Sequence, residues 1–110
     1  MNKDLEIRAC KEFVCPNIST IDMKCKELNL NFNVIKKAKE MAIGYLKKTY
    51  HTPRYSHIKY LLPSFVYLGS IIGGDKRSQN EIAIIFGITI TTMRKWNDDI
   101  INILELDIIL

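Results

Sequence analysis

A chain of 110 residues, 47% hydrophobic and 25% charged, is long enough to bury one core and too short for two ordinary domains, so a single domain over 1–110 is expected. Its longest nearly unbroken apolar stretch, Leu61 to Ile72, falls short of the roughly 20 residues of a bilayer span, and Lys3, Asp4, Glu6 and Arg8 interrupt any export signal; no membrane partner is expected, and the compartment is read as the cytoplasm, or the nucleus in a eukaryotic cell. The net charge of +4 suits a polyanionic partner, but the cationic surplus lies upstream, with twelve Lys/Arg against six Asp/Glu in residues 1–60 and four against six in residues 61–110.

Apolar residues recur at helical spacing in nearly every segment and no Asn-Gly or Asp-Gly dipeptide marks a hairpin, so an all-α fold is expected. A first helix is read from about Asp4 to Val14, with Leu5, Ala9 and Phe13 on one face and Pro16 closing it. Ser19 is read as the cap of a second helix, with Asp22 at its third position and Ile21, Cys25 and Leu28 sharing a face. Asn31 or Asn33 caps a third, longer helix, in which Val34, Ala38, Met41, Ala42 and Tyr45 form a stripe opposite Lys36, Lys37, Lys39, Lys47 and Lys48. That basic face is read as solvated surface in preference to a phosphate contact.

Residues 52–56 read as a connection, followed by a helix from about Ser56 to Ile72 that ends at Gly73-Gly74. It is apolar on most sides, which places it at the centre of a bundle. Pro63 either kinks this helix or marks its first turn. The three cysteines, Cys10, Cys15 and Cys25, form no CxxC pair and are read as reduced, with Cys25 a small core residue. His51 and His57 lie far from them, so neither a metal nor another cofactor is expected.

From residue 78 the local signals sharpen. Ser78-Gln79-Asn80-Glu81 is a capping box directly ahead of Ile82, Ala83, Ile84, Ile85 and Phe86. Gly87 supplies the positive φ of a sharp turn, Ile88 plugs it, and a further helix starts near Thr89 or Ile90 with Met93, Trp96 and Ile100 on its inner face. The pair fits a helix-turn-helix, in which Ala83 is small where the helices approach and Met93 and Trp96 are buried core residues, not stacking platforms. The outer side then offers Thr89, Thr91, Thr92, Arg94, Lys95 and Asp98; hydroxyls and cations of this kind reach base edges and phosphates, with Arg94 the first choice for a base contact. Two helices joined by a glycine turn can also produce this spacing in an all-α core that meets no DNA.

The stretch Lys76-Arg77-Ser78-Gln79-Asn80-Glu81-Ile82, continued by Gly87-Ile88-Thr89-Ile90-Thr91-Thr92-Met93-Arg94, resembles the last two helices of the second cyclin-like repeat of the transcription initiation factor IIB family and its archaeal counterpart. Residues 21–30 are similar to the first helix of that repeat and residues 33–38 to the start of its second, and Tyr67 falls at the family's tyrosine. The resemblance implies a cyclin-like five-helix bundle, ending in a helix-turn-helix within 78–104 and preceded by an extra amino-terminal helix. It implies promoter DNA as partner, entered through the major groove upstream of the TATA box beside the TATA-binding protein and RNA polymerase, with Thr91 and Arg94 at the base-reading positions. Lys76, Arg77 and Lys95, with Thr89 and Thr92, complete the expected DNA-contact set, and Lys76, Arg77, Arg94 and Lys95 must offset Asp98 and Asp99; with so few cations, intrinsic affinity of about micromolar order or weaker is expected. Where the family has a run of alanines this chain has Leu62-Pro63-Ser64-Phe65, so the centre of the bundle must repack. The family's amino-terminal zinc ribbon is not among these residues, which leaves a fragment and a reduced paralogue both open.

Catalysis is not expected, since no nucleophile–base set, paired carboxylates or phosphate-cradling loop occurs, and no small-molecule substrate is read. The alternative function is a cyclin-like protein–protein interaction module without direct DNA binding; a free-standing helix-turn-helix repressor would require a self-associating surface.

Overall fold

Residues 19–49 and 58–108 are described by the computed structural model. The expected first helix, Cys10, Cys15, His51, His57 and the 52–56 connection lie outside them. Five helices follow in order: α1, helical over 19–27, α2 (Phe32–Thr49), α3 (Ile58–Ile72), α4 (Gln79–Phe86) and α5 (Ile90–Leu104). No strand occurs among the described residues. The fold is all-α, consistent with a cyclin-like bundle.

Helix α1 buries Ile21, Cys25 and Leu28 on the expected face. Ser19 already lies inside the helix and is therefore not its cap. The helix ends at Asn29, whose φ of 56° lets its own amide reach Lys26 O at 3.0 Å and the Leu30 amide reach Cys25 O at 2.9 Å. Asparagine is among the few side chains that tolerate this left-handed backbone, and the two bonds satisfy carbonyls the helix would otherwise leave open. Two residues later Asn31 resolves the Asn31/Asn33 alternative, because its Oδ1 accepts from the Val34 amide at 3.0 Å and so caps α2. Lys39 meets Asp22 at 3.0 Å, tying α2 to α1.

The stripe read on α2 is buried in full, and Leu46 joins it. It packs on α3, where every residue from Leu61 to Ser70 is buried, as expected of the central helix. The two backbones approach closely at Gly69 and Gly73. A methyl group on Gly73 would sit 2.8 Å from both Gly69 O and the Val34 amide nitrogen, and one on Gly69 would sit 3.1 Å from Ala38 N and Val34 O. Two glycines four apart thus leave a flat strip into which Val34 and Ala38 of α2 fit, a steric device that pattern reading of α3 does not reveal. At the other end of the contact, Tyr45 and Phe65 pack edge to face with centroids 5.7 Å apart.

Pro63 lies in the interior of α3, not in its first turn. It has no N–H to give the carbonyl four residues earlier, so one rung of the helix is missing there. Its neighbours carry the repacking that the Leu62-Pro63-Ser64-Phe65 sequence demands: Phe65 meets α2, and Ser64 donates its hydroxyl to Met93 O of α5 at 3.3 Å. Helix α5 completes the core by packing on α3 and α2, and Lys48 reaches across to Ile103 O at 3.0 Å.

Candidate nucleic-acid interface

Helix α4 begins as the capping box predicts. The Glu81 amide donates to Ser78 Oγ at 3.1 Å, and the Ser78 amide donates back to Glu81 Oε1 at 3.4 Å. The helix stops after eight residues because Gly87 turns left-handed, with φ 69°. Its amide and that of Ile88 then close the end on Ile84 O at 3.2 Å and Ala83 O at 3.0 Å. Ile88 packs partly buried against the core, which fixes the angle at which the chain leaves the turn.

Thr89 caps α5, its hydroxyl accepting from the Thr92 amide at 3.2 Å and donating to Thr92 Oγ1 at 2.9 Å. Both hydroxyls are thereby held at the helix start. Met93, Trp96 and Ile100 are buried, as expected. Thr91, Arg94, Lys95 and Asp98 are exposed on the opposite side. Lys95 extends its ammonium to 5.3 Å from the Trp96 ring centroid, a cation–π contact that restrains an otherwise free side chain. Among the described residues Arg94 makes no hydrogen bond or ion pair.

The two carboxylates next to this face are placed differently. Asp99 is half-buried and accepts a hydrogen bond from Tyr45 Oη of α2, which leaves Asp98 as the exposed carboxylate of the two. Lys76 is exposed just ahead of α4.

Arg77, placed by sequence among the DNA contacts, has its guanidinium turned onto the protein. It donates to Leu28 O at 2.7 Å, to Asn29 O at 3.2 Å and to Asp75 Oδ1 at 3.2 Å, and lies 3.9 Å from Glu81. Its amide donates to the buried Ser70 Oγ at 3.3 Å. The Arg77 hydrogen bond and, less strongly, the Asn31 amide hold the Asp75 carboxyl below the usual carboxylate range against partial desolvation. Sequence reasoning missed this group; the Asp75–Arg77 spacing was its one local signal.

Asn97 was missed as well. It lies on the inner face of α5 at 0% exposure, and among the described residues neither Oδ1 nor Nδ2 has a hydrogen-bond partner. Cys25 is equally enclosed, and burial, with Asp22 nearby, pushes its thiol up to about 11; it is a core thiol, as read. No group of three or more His, Cys, Asp or Glu among the described residues is placed to hold a metal ion. None of the described helices is long and apolar enough to cross a membrane.

No protein-family model matches the chain. A stretch of 45 residues, 41% of the chain, is 38% identical to transcription initiation factor IIB of Methanoregula boonei, and the same identity and length hold for the factors of Methanosphaerula palustris and Methanoculleus marisnigri. The match spans 13–14% of the length of these relatives. The chain is thus similar, over part of its length and distantly, to archaeal transcription initiation factor IIB.

Proposed function

We propose that the chain is a DNA-binding module of the transcription-initiation machinery, corresponding to the carboxy-terminal cyclin-like repeat of transcription initiation factor IIB. In this reading α4 and α5 form a helix-turn-helix and α5 lies in the major groove of promoter DNA near the TATA box. Arg94 and Thr91 face base edges, Lys95 and Lys76 face phosphates, and Thr92 offers its hydroxyl to the backbone. The observation that carries the reading is Arg94: exposed on the side of α5 opposite Met93 and Ile100, its guanidinium is unspent on the protein's own acceptors among the described residues. The likeness to the archaeal factors supports the same assignment, and by it the TATA-binding protein and RNA polymerase are the proposed partners.

The test is a fluorescence titration of a labelled promoter duplex at several salt concentrations. Affinity of about micromolar order or weaker is expected, falling with salt, and Arg94→Ala should weaken binding by about tenfold or more, the worth of one base-reading arginine. Equal binding by wild type and Arg94→Ala would overturn the assignment. A second reading, a cyclin-like protein-interaction module without DNA contact, draws on Phe32 and Ile84, which are 75% and 68% exposed; it predicts no duplex binding at any salt.

A further inference from the structure

We infer that Arg77 is a positioning residue: together with Asp75 it forms a clasp that locks the start of α4 to the corner between α1 and α2, and so sets where the α4–α5 pair stands on the bundle. The inference rests on the reading of that pair as the duplex-binding surface, and it removes one of the expected cations from the contact set.

Three strands of chain meet at the clasp. From the α1–α2 corner come the carbonyls of Leu28 and Asn29 and the amide of Asn31, which donates to Asp75 Oδ2 at 3.3 Å. From the end of α3 comes Ser70, whose hydroxyl donates to Tyr67 O at 2.6 Å and accepts the Arg77 amide, while its carbonyl accepts the Asp75 amide at 2.9 Å. From the approach to α4 come Asp75 and Arg77 themselves. Backbone amides make the Ser70 and Asn31 bonds, and the guanidinium serves the other acceptors at once, since its rigid fork presents several donors in a plane to two carbonyls and a carboxylate.

The consequence is geometric. Helix α4 has only eight residues, of which Ile82 and Ala83 are buried and Ile85 and Phe86 half-buried against the core, so its apolar contact is short and the clasp adds a second fixed point at its start. Arg77 stands one residue before its cap. Holding Arg77 by backbone and side chain therefore fixes the direction in which α4 departs, and through the Gly87 turn the direction of α5. An arginine so occupied would have to surrender these acceptors to reach a phosphate.

Two kinds of measurement separate a clasp from a phosphate ligand. The first needs no DNA: amide exchange in the intact chain should quicken about tenfold or more at Asn31 in Asp75→Ala, and at Arg77 and the Leu30–Val34 corner in Arg77→Lys, each relative to wild type. Unchanged exchange in both variants would overturn the clasp whether or not the protein binds DNA. The second is the duplex titration. Arg77→Lys keeps the charge but not the fork, so a phosphate ligand would bind nearly as before; the clasp predicts a loss of about threefold or more, with the slope of log affinity against log salt unchanged. Removing a true phosphate contact, as expected for Lys95→Ala, reduces that slope by about 0.9.

Asp75→Ala gives opposite signs for the two roles. Taking a carboxylate away from a phosphate-binding arginine should tighten binding, whereas opening the clasp should weaken it, with Asp75→Asn, which keeps one acceptor, intermediate. Tighter binding by Asp75→Ala would overturn the inference. If no duplex binds the wild type, the proposed function fails and the exchange result alone decides the clasp.

Discussion

The α2–α3 contact and the α4–α5 pair are built by different means. Between α2 and α3 the determinants are shape and volume: two glycines, Ala38, and the buried faces of Tyr45 and Phe65. In α4–α5 they are backbone terminations: a capping box at Ser78, a left-handed Gly87, and a threonine cap at Thr89. A contact of the first kind fills space and leaves no side free. One of the second kind fixes the turn between short α4 and longer α5 by local bonds, and α5 spends only its inner face on the core, so that its outer face, with Thr91, Arg94 and Lys95, can be given over to something other than folding.

The sharpest way to break this contrast is one substitution made in both places. Gly73→Ala drives a methyl group into backbone atoms of Val34 and Gly69 at 2.8–2.9 Å, which cannot rotate away. A loss of about 3 kcal/mol or more in denaturant unfolding is expected, at the upper end of overpacking effects. Gly87→Ala meets nothing within 4 Å but keeps a φ of +69°, so its cost is conformational, about 1–2 kcal/mol. Asparagine separates the mechanisms, because it tolerates the left-handed region: Gly87→Asn should recover most of the loss, while Gly73→Asn should be at least as damaging as alanine. Equal rescue at both positions would mean that the two glycines serve one purpose.

The same contrast explains what could be read in advance. Caps and turns are written within four or five consecutive residues, so Ser78–Glu81 and Gly87 were legible, as was the apolar stripe of α2 from Val34 to Tyr45. The closeness of α2 and α3 depends on which residues of one helix stand opposite Gly69 and Gly73 on another, more than thirty positions away, and no spacing within α3 carries that. The acceptors of Arg77 were hidden for a similar reason. Its preferred acceptors, Leu28 O and Asn29 O, are backbone groups 49 and 48 residues upstream, and an arginine before a helix-turn-helix reads as a cation until those carbonyls are in place. Pro63 admits two readings in the sequence because the start of α3 decides between them, and helix boundaries are the least determined feature of a sequence.

A second test concerns the packed half alone. Cys25 has its thiol raised from 9.0 to about 11 by burial and by Asp22, so the fold favours the neutral form. The stabilisation is fully present below pH 9; above it the unfolded chain ionises first, and stability is lost progressively as pH climbs through the folded value near 11. Unfolding at pH 8 and at pH 10.5 should differ by about 1–2 kcal/mol through this group, and Cys25→Ala, though less stable at pH 8, should show a shallower alkaline loss. An alkaline slope unaltered by Cys25→Ala would show that the thiol is not excluded from water as the core geometry requires.

The smallest effect probes where the two modes of construction meet. Asn97 lies on the buried face of α5 with both polar atoms unpartnered among the described residues, on a helix whose other buried residues are Met93, Trp96 and Ile100. A buried amide in that condition costs about 1–3 kcal/mol, and leucine has the same branched outline with no polar atom. Asn97→Leu should therefore stabilise the fold by about 1 kcal/mol in denaturant unfolding while leaving duplex affinity unchanged, because the substituted side chain is fully buried and Arg94, one turn away, stays exposed. Destabilisation would place a satisfied polar contact under α5. If Asn97→Leu instead stabilised the chain and weakened duplex binding, then the inner face of α5 would be tuned for orientation as much as for packing, and the division between a packed half and a free outer face would fail at this residue.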